Sequence, residues 1–216
     1  MRVLLIAIIS ILAPGCGDKS ETPADFSATA EPVVSAKGNG PRTIVALPDP
    51  CEWLSASEAQ EILGLPEPPP QTPMGGPDTA GRSCVYTNAE QTAWINVSYE
   101  GLNPQVFNAQ RKSEQELIEL ASTVYAHGLE HAYSGKTDGY PTLAFQDADR
   151  TIMIVFTDIG KARNLSEGIS ERFAISSYYN VLMHLFVPEQ SGEERLGALK
   201  GQVNRSVAQL KAAAGE

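Results

Sequence analysis

Basic residues, cysteines and long apolar runs are all scarce in this chain of 216 residues. It holds three cysteines, and 16 Lys plus Arg stand against 26 Asp plus Glu, so the formal net charge is −10. Three cysteines are too few for a disulfide-dense scaffold or a structural four-ligand zinc site. The acidic balance argues against a nucleic-acid partner, because such binding needs a basic face that neutralises phosphates. The length suits one domain with tails.

The one notable apolar run occupies residues 3–12 and follows Arg2. Ten residues make about 15 Å of helix, which is half of the roughly 30 Å hydrocarbon core of a bilayer. A run this short, with a positive residue before it and small residues after it, is typical of an export signal. We therefore predict a signal peptide over residues 1–15.

Gly15 and Cys16, which follow that run, resemble the lipobox of bacterial lipoproteins, in which a small residue precedes the acylated cysteine. The resemblance implies that Cys16 carries diacylglycerol and a palmitate-type acyl chain as the mature N-terminus. Ordinary signal cleavage, leaving Cys16 as a free thiol, is the alternative. Aspartate directly after Cys16 would suggest retention at the inner membrane, and Gly17 stands there instead, which favours the outer membrane. Lipidation of Cys16 also leaves Cys51 and Cys84 as an even pair in an oxidising compartment.

The composition divides the remaining chain into a tether and one domain. Residues 16–48 are rich in Ser, Thr, Ala, Pro, Glu and Gly without periodicity, so we expect a flexible tether after the lipidated cysteine. A short apolar patch at residues 43–47 could dock as an edge strand. Residues 49–216 are expected to form a single domain.

Three capping boxes, each a serine followed three residues later by glutamate, predict helices that begin after Ser55, Ser113 and Ser191. Asn103 before Pro104 predicts a further helix start, with the box at Ser113 marking a break or restart. Runs that suit strands cover residues 83–87, 93–99, 140–146, 151–157 and 178–187. Residues 66–81, with six prolines, are expected to be a loop, and residues 160–172 stay unassigned. The resulting order, α-β-β-α-β-β-β-α, predicts an α+β fold with an antiparallel sheet and helices packed on one face.

The motif Asp49-Pro50-Cys51, a following Glu58-Ala59…Leu63-Gly64 and a later Cys84-x-Tyr86 resemble a family of small bacterial envelope lipoproteins of unknown function. Residues 128–133 are similar to that family's later Gly-Leu-Gly-Asp-x-Ala-Tyr turn, with Glu130 in place of the second glycine. The resemblance implies an extracytoplasmic α+β domain in which Cys51 and Cys84 form a disulfide. It implies no catalytic residues.

Candidate reactive groups are few. His127 and His131 are four residues apart, but Gly128 between them disfavours one continuous helix, and zinc needs three or four ligands. We therefore expect no metal, and two ordinary turn histidines. His184 lies among apolar neighbours, which is typical of a hydrogen-bonded structural histidine. Gly135-Lys136-Thr137 matches only the end of a phosphate-binding loop, because Glu130 replaces the required earlier glycine, so no nucleotide is expected.

Aromatic side chains of the last strand, Tyr178, Tyr179 and Phe186, could line a groove, although alternate members of a strand are usually core. Together these patterns predict a lipid-anchored binding or interaction module of the bacterial envelope, without catalysis or a cofactor. Its expected partners are the membrane, through the lipid, and an envelope protein. The alternative is an envelope enzyme, a metal-assisted or other hydrolase that uses His127 or His131. A third is a structural or inhibitory protein that fills a partner's groove through a sheet edge.

Overall fold

In the part of the chain that the structure describes, the domain has an antiparallel sheet and three α-helices, so the predicted α+β class is confirmed. The computed structural model describes residues 48–75, 81–102, 112–164 and 174–215, all of which belong to one compact unit. Cys16, most of the predicted tether and the helix start at Asn103 lie outside the described residues. No helix in the described ranges is both long enough and apolar enough to cross a membrane.

The helices are α1 (Ala56–Leu63), α2 (Glu114–Val124) and α3 (Gly192–Ala214), with a 3₁₀ turn at Pro50–Glu52. The strands are β1 (Gln71–Met74), β2 (Gly81–Thr87), β3 (Trp94–Leu102), β4 (Glu130–Thr137), β5 (Tyr140–Gln146), β6 (Arg150–Val155), β7 (Gly160–Asn164) and β8 (Ala174–Phe186). Their order across the sheet is β1-β2-β3-β8-β6-β5-β4, and β7 pairs with the first half of β8. The long strand β8 therefore has β3 on one side and β6 on the other.

All three predicted capping boxes are present. At the start of α1, the Ser55 hydroxyl accepts a hydrogen bond from the Glu58 backbone N–H at 3.2 Å, and the Glu58 carboxylate accepts one from the Ser55 N–H at 2.8 Å. The same reciprocal pair opens α2 at Ser113 and α3 at Ser191. Each box satisfies backbone donors that lack partners inside the helix, which is why the short motif located all three starts correctly.

Three strands differ from the prediction. β1 lies inside the proline-rich segment expected to be a loop, and β4 covers residues expected to form turns. Both are edge strands, where Pro73 and the glycine and lysine of β4 are tolerated because one side needs no partner. β7 occupies the start of the unassigned segment 160–172, and the rest of that segment beyond residue 164 lies outside the described residues.

The two faces of the sheet carry separate apolar clusters. On one face, α1 and α3 pack with Leu63, Leu199 and Val207 against buried residues such as Val97 and Met183. On the opposite face, α2 packs against β5, β6 and Leu182 of β8. The expectation of helices on one face thus holds for α1 and α3, and α2 lies on the other. Alternation along β6 supports both clusters, because Ile152 and Ile154 point one way while Met153 and Val155 point the other.

A fully buried arginine joins the end of β8 to the β5–β6 hairpin. Arg195, in the first turns of α3, is 0% exposed. Its Nε donates to the Thr151 hydroxyl at 3.0 Å, and one Nη donates to the Asp147 carbonyl at 2.7 Å. The other Nη donates to the carbonyls of Val187 and Gln190. Four acceptors, two from the β5–β6 hairpin and two from the stretch after β8, therefore satisfy the charge, and nothing in the sequence pattern singled out Arg195.

Candidate functional site

The predicted disulfide between Cys51 and Cys84 is present. The sulfurs are 2.11 Å apart and the Cα atoms 5.0 Å apart, and the bridge spans 33 positions of sequence. It ties the 3₁₀ turn before α1 to strand β2, with the Cys84 side chain fully buried. Beside it, Arg82 pairs with Asp49 at 3.0 Å. Cys51 and Cys84 therefore have a structural role, and each end of the bridge is held by further contacts.

The histidines considered as reactive groups do not converge. His127 is exposed in the turn between α2 and β4. His131 is exposed on β4, where its Nε2 lies 3.0 Å from both the Tyr133 carbonyl and the Ser134 hydroxyl. In the described part of the chain, no group of three or more His, Cys, Asp and Glu side chains could hold a metal ion. The hydrolase alternative thus gains no ligand set from these residues.

The Gly135-Lys136-Thr137 sequence lies in β4 and pairs with β5, so it does not form a loop before a helix. The Thr137 hydroxyl is buried and accepts a hydrogen bond from Thr142 at 2.8 Å, and Lys136 is exposed. A phosphate-binding loop presents backbone amides at a helix N-terminus, whereas these amides belong to a strand followed by a turn and another strand.

Among the described residues, α2 covers only part of the sheet face on which it packs. The α2 cluster includes Leu182 but none of the described residues of β2 or β3. We call the remaining area the open face, which consists of side chains that point to the α2 side from β2, β3 and the end of β8: Ser83, Val85, Thr87, Trp94, Asn96, Ser98, His184 and Phe186.

Cross-strand pairing orders the open face into rows. One row runs from Thr87 through Trp94 to Phe186, and the next runs from Val85 through Asn96 to His184. The Trp94 and Phe186 rings stack with centroids 5.9 Å apart and planes 16° apart. Most of these side chains are half-buried. Two aromatic rings thus lie beside a polar row on a rigid sheet.

Two shallow cavities lie over the open face and share Asn96. The larger, about 350 Å³, is lined among the described residues by five without a formal charge: Val85, Thr87, Gln91, Trp94 and Asn96. The smaller, about 240 Å³, lies toward β1 and includes Arg82 and Glu100. The Asn96 side-chain oxygen is buried and has no hydrogen-bond partner. An unpaired buried amide beside a cavity is typical of a position where a ligand completes the hydrogen bonding.

The rim of the larger cavity is a rigid turn that holds one residue in an unusual conformation. Gln91 has a φ of +57°, in the left-handed region that non-glycine residues rarely occupy. The Asn88 side chain fixes the turn, since its oxygen accepts from the backbone N–H groups of Thr92 at 2.8 Å and Ala93 at 3.1 Å. Its nitrogen donates to the Thr92 hydroxyl at 2.8 Å.

His184 is the ionisable group at the centre of the open face. Burial, with a smaller effect from the positive charge of Arg150, lowers the pKa of the His184 imidazole to about 4. It is therefore neutral at physiological pH. The expectation of a hydrogen-bonded histidine is not met, because its imidazole makes no hydrogen bond to any described residue. A neutral histidine keeps the centre of the open face free of charge.

One of the aromatic residues of the last strand that could line a groove, Phe186, belongs to the open face. Tyr179 is fully buried in the α1–α3 core, as alternation predicted, whereas Phe186 lies half-buried on the open face. The alternation of side chains along β3 could have identified the face. Residues 94, 96 and 98 alternate with the apolar residues 95, 97 and 99, so their side chains share one side of the strand. Which side α2 leaves uncovered cannot be read from β3 itself.

No protein-family model, curated protein or solved structure matches this chain. The resemblance to envelope lipoproteins therefore rests on the quoted motifs alone.

Proposed function

We propose that this protein is a lipid-anchored binding module of the bacterial cell envelope that faces the extracytoplasmic side and acts without catalysis. The Cys51–Cys84 disulfide is the main support for an extracytoplasmic location, because such bonds persist in oxidising environments and are rare in the cytosol. The export signal and the lipobox-like Gly15-Cys16 agree with it.

The anchor and the tether define where the domain works. Acyl chains on Cys16 would hold the N-terminus in the membrane, the outer membrane by preference, and more than one chain is needed for stable attachment. A flexible segment of the length of residues 16–48 has a root-mean-square reach of roughly 30 Å. The domain would therefore scan a shell near the membrane surface for its partner.

Binding fits the open face better than catalysis does. Its side chains are aromatic, amide and hydroxyl groups on a rigid sheet, next to an uncharged cavity of about 350 Å³. Pockets that bind ligands combine apolar surface with a few well-placed polar groups in this way. None of the residues that define the open face is a carboxylate, and no hydrogen bond between described residues pairs one of its hydroxyls with His184; Glu100 lies at the smaller cavity. His127 and His131 lie elsewhere, on the α2–β4 turn and on β4.

Mass spectrometry of the mature protein tests the anchor. We expect the chain to begin at an acylated Cys16 and to fractionate with membranes, whereas Cys16→Ala releases a folded, soluble domain. Cys16→Ser in a second preparation controls for the size of the substituted side chain. A mature chain with unmodified Cys16, or one that starts elsewhere, contradicts the proposal.

A pull-down from solubilised envelope tests the binding role. We expect full-length protein to retain a partner that a variant altered on the open face, such as Trp94→Ala, does not retain. Equal retention by both proteins would remove the open face from the proposed function.

A further inference from the structure

The geometry points to the cavity beside Trp94 as a binding site for a neutral carbohydrate. This inference deepens the proposed binding function, on which it rests, but it does not depend on the lipid anchor. The site consists of the Trp94 ring, the side-chain amides of Gln91 and Asn96, and the flanking Val85 and Thr87 around about 350 Å³.

The lack of charge on the cavity lining narrows the class of ligand. None of the five lining residues carries a formal charge, and His184 in the next strand is held neutral by burial. An anionic ligand would need cationic donors, which supply the strong hydrogen bonds to carboxylates and phosphates. A cationic ligand would need a carboxylate or a cage of rings, whereas Trp94 is the one ring among the described residues that line this cavity.

The backbone argues against an extended peptide. Strand β2 is paired on both sides, with β1 and β3, and β3 is paired with β2 and β8. Peptides that add to a sheet bind through free backbone groups at an edge. Residues 83–86 of β2 have a partner strand on both sides, as does β3, so along these stretches a ligand meets mainly side chains.

The side chains match a sugar ring. The C–H bonds on one side of a pyranose form an apolar face that packs on an indole, and Trp94 is held in place by its stack on Phe186. Side-chain amides offer a donor and an acceptor together, which suits neighbouring hydroxyls. The amides of Gln91 and Asn96 make no hydrogen bond to another described residue, and the Asn96 oxygen is buried without a partner.

Gln91 gives an independent indication. A glycine would fit its φ of +57° without strain, yet a long amide side chain occupies this position on the cavity rim. Backbone strain of this kind persists where surrounding structure enforces it, and it is concentrated at ligand sites. The Asn88 network supplies that enforcement. The strain is explained if the Gln91 amide contacts the ligand.

Intrinsic fluorescence can follow binding, because the chain has two tryptophans and Trp53 is only 2% exposed. Full-length protein is purified in a detergent without a sugar headgroup and titrated with maltotriose, N-acetylated chitotriose and trigalacturonate. We expect a saturable change with at least one neutral trisaccharide and at least tenfold weaker binding of trigalacturonate. No saturable change with either neutral sugar, or equal binding of the charged one, overturns the inference.

Variants measured by calorimetry identify the site. Trp94→Ala should weaken binding at least tenfold, whereas Tyr133→Ala, which removes an aromatic ring from β4 on the opposite side of the sheet, should leave it unchanged. Gln91→Gly should raise the melting temperature and still weaken binding about fivefold, a combination that a structural role does not produce. If Trp94→Ala fails to fold, the affinity of Gln91→Gly decides whether this cavity is the binding site. Unchanged affinity in Gln91→Gly, or equal losses in Trp94→Ala and Tyr133→Ala, refutes the site.

The outcomes remain separable from those of the proposed function. A mature N-terminus without lipid would remove the anchor but leave the sugar titration interpretable. A failed sugar titration would not affect the test of the anchor, which depends on the mass of the acylated N-terminus and on membrane fractionation.

Discussion

Replacing Arg195 with methionine should strongly destabilise the domain, because its guanidinium is the shared donor for the β5–β6 hairpin and the stretch after β8. Two of its hydrogen bonds have good lengths, 3.0 Å to the Thr151 hydroxyl and 2.7 Å to the Asp147 carbonyl. Hydrogen bonds to a charged group contribute about 1.5–3 kcal/mol each, net of desolvation. The two together give about 3–6 kcal/mol, and we assign nothing to the contacts with the carbonyls of Val187 and Gln190.

Desolvation favours the methionine variant, because burying a guanidinium carries a desolvation penalty that burying a methionine does not. Replacing a buried ion pair with apolar groups of similar volume is often neutral or stabilising. Here, however, the partners are backbone carbonyls and a hydroxyl, and they stay behind without a donor when the guanidinium is removed. Leaving buried acceptors unsatisfied is the costly case. We therefore expect the loss to prevail.

Urea unfolding followed by circular dichroism measures the effect. Arg195→Met should lower the free energy of unfolding by about 3–6 kcal/mol. Arg195→Lys should have a stability between that of the parent protein and that of Arg195→Met, because one ammonium cannot reach all four acceptors. Arg205→Met is the matched control on the same helix. Arg205 pairs with Glu58 at the surface, so its loss should cost about 1 kcal/mol or less. A loss below about 1 kcal/mol in Arg195→Met would refute the reasoning, and if that variant does not fold, Arg195→Lys decides.

Three further predictions concern the disulfide, pH and the exposed histidines. Replacing Cys51 and Cys84 with serine should cost about 3–4 kcal/mol by the loop-entropy relation, read from urea unfolding, and alkylation of native protein without reductant should label neither thiol. Burial lowers the pKa of His184 in the folded chain to about 4, whereas its ordinary value is 6.5. Between these two pH values the unfolded chain binds a proton that the folded chain does not, so the free energy of unfolding should fall as the pH drops from about 6.5 to 4 and then level off. This loss, about 1–2 kcal/mol at pH 5, should be absent in His184→Phe; an identical pH profile in the variant would contradict it. His127→Ala combined with His131→Ala should leave partner binding and metal content unchanged, and stoichiometric zinc in the parent protein would favour the hydrolase.

Local signals in the sequence predicted the elements that local interactions determine. A capping box involves one serine and one glutamate three residues apart, so Ser55, Ser113 and Ser191 marked three helices without tertiary information. The hairpin of β5 and β6 was equally local, since the Asp147 carboxylate accepts from the backbone N–H groups of Asp149 and Arg150. These interactions form inside a few residues, whatever packs around them.

Edge strands and the candidate site depend on distant partners. β1 contains Pro73 and is exposed along its length, so no apolar alternation identified it; it exists because β2 offers a free side. The open face was hidden for the same reason. Trp94 and Asn96 alternate with core residues as any half-buried strand does, and the position of α2 leaves their side uncovered by the helices of the described residues.

The arrangement of the two faces explains how one small domain can be both stable and available to a ligand. The disulfide, the α1–α3 core and the buried Arg195 all lie on or against the side of the sheet that faces away from the open face. Substitutions on the open face should therefore change binding with little effect on stability, whereas substitutions behind it should do the reverse. Comparing urea midpoints with sugar affinities for Trp94→Ala and Arg195→Lys tests this separation. A large stability loss in Trp94→Ala, or a selective affinity loss in Arg195→Lys, would show that the two faces are energetically coupled.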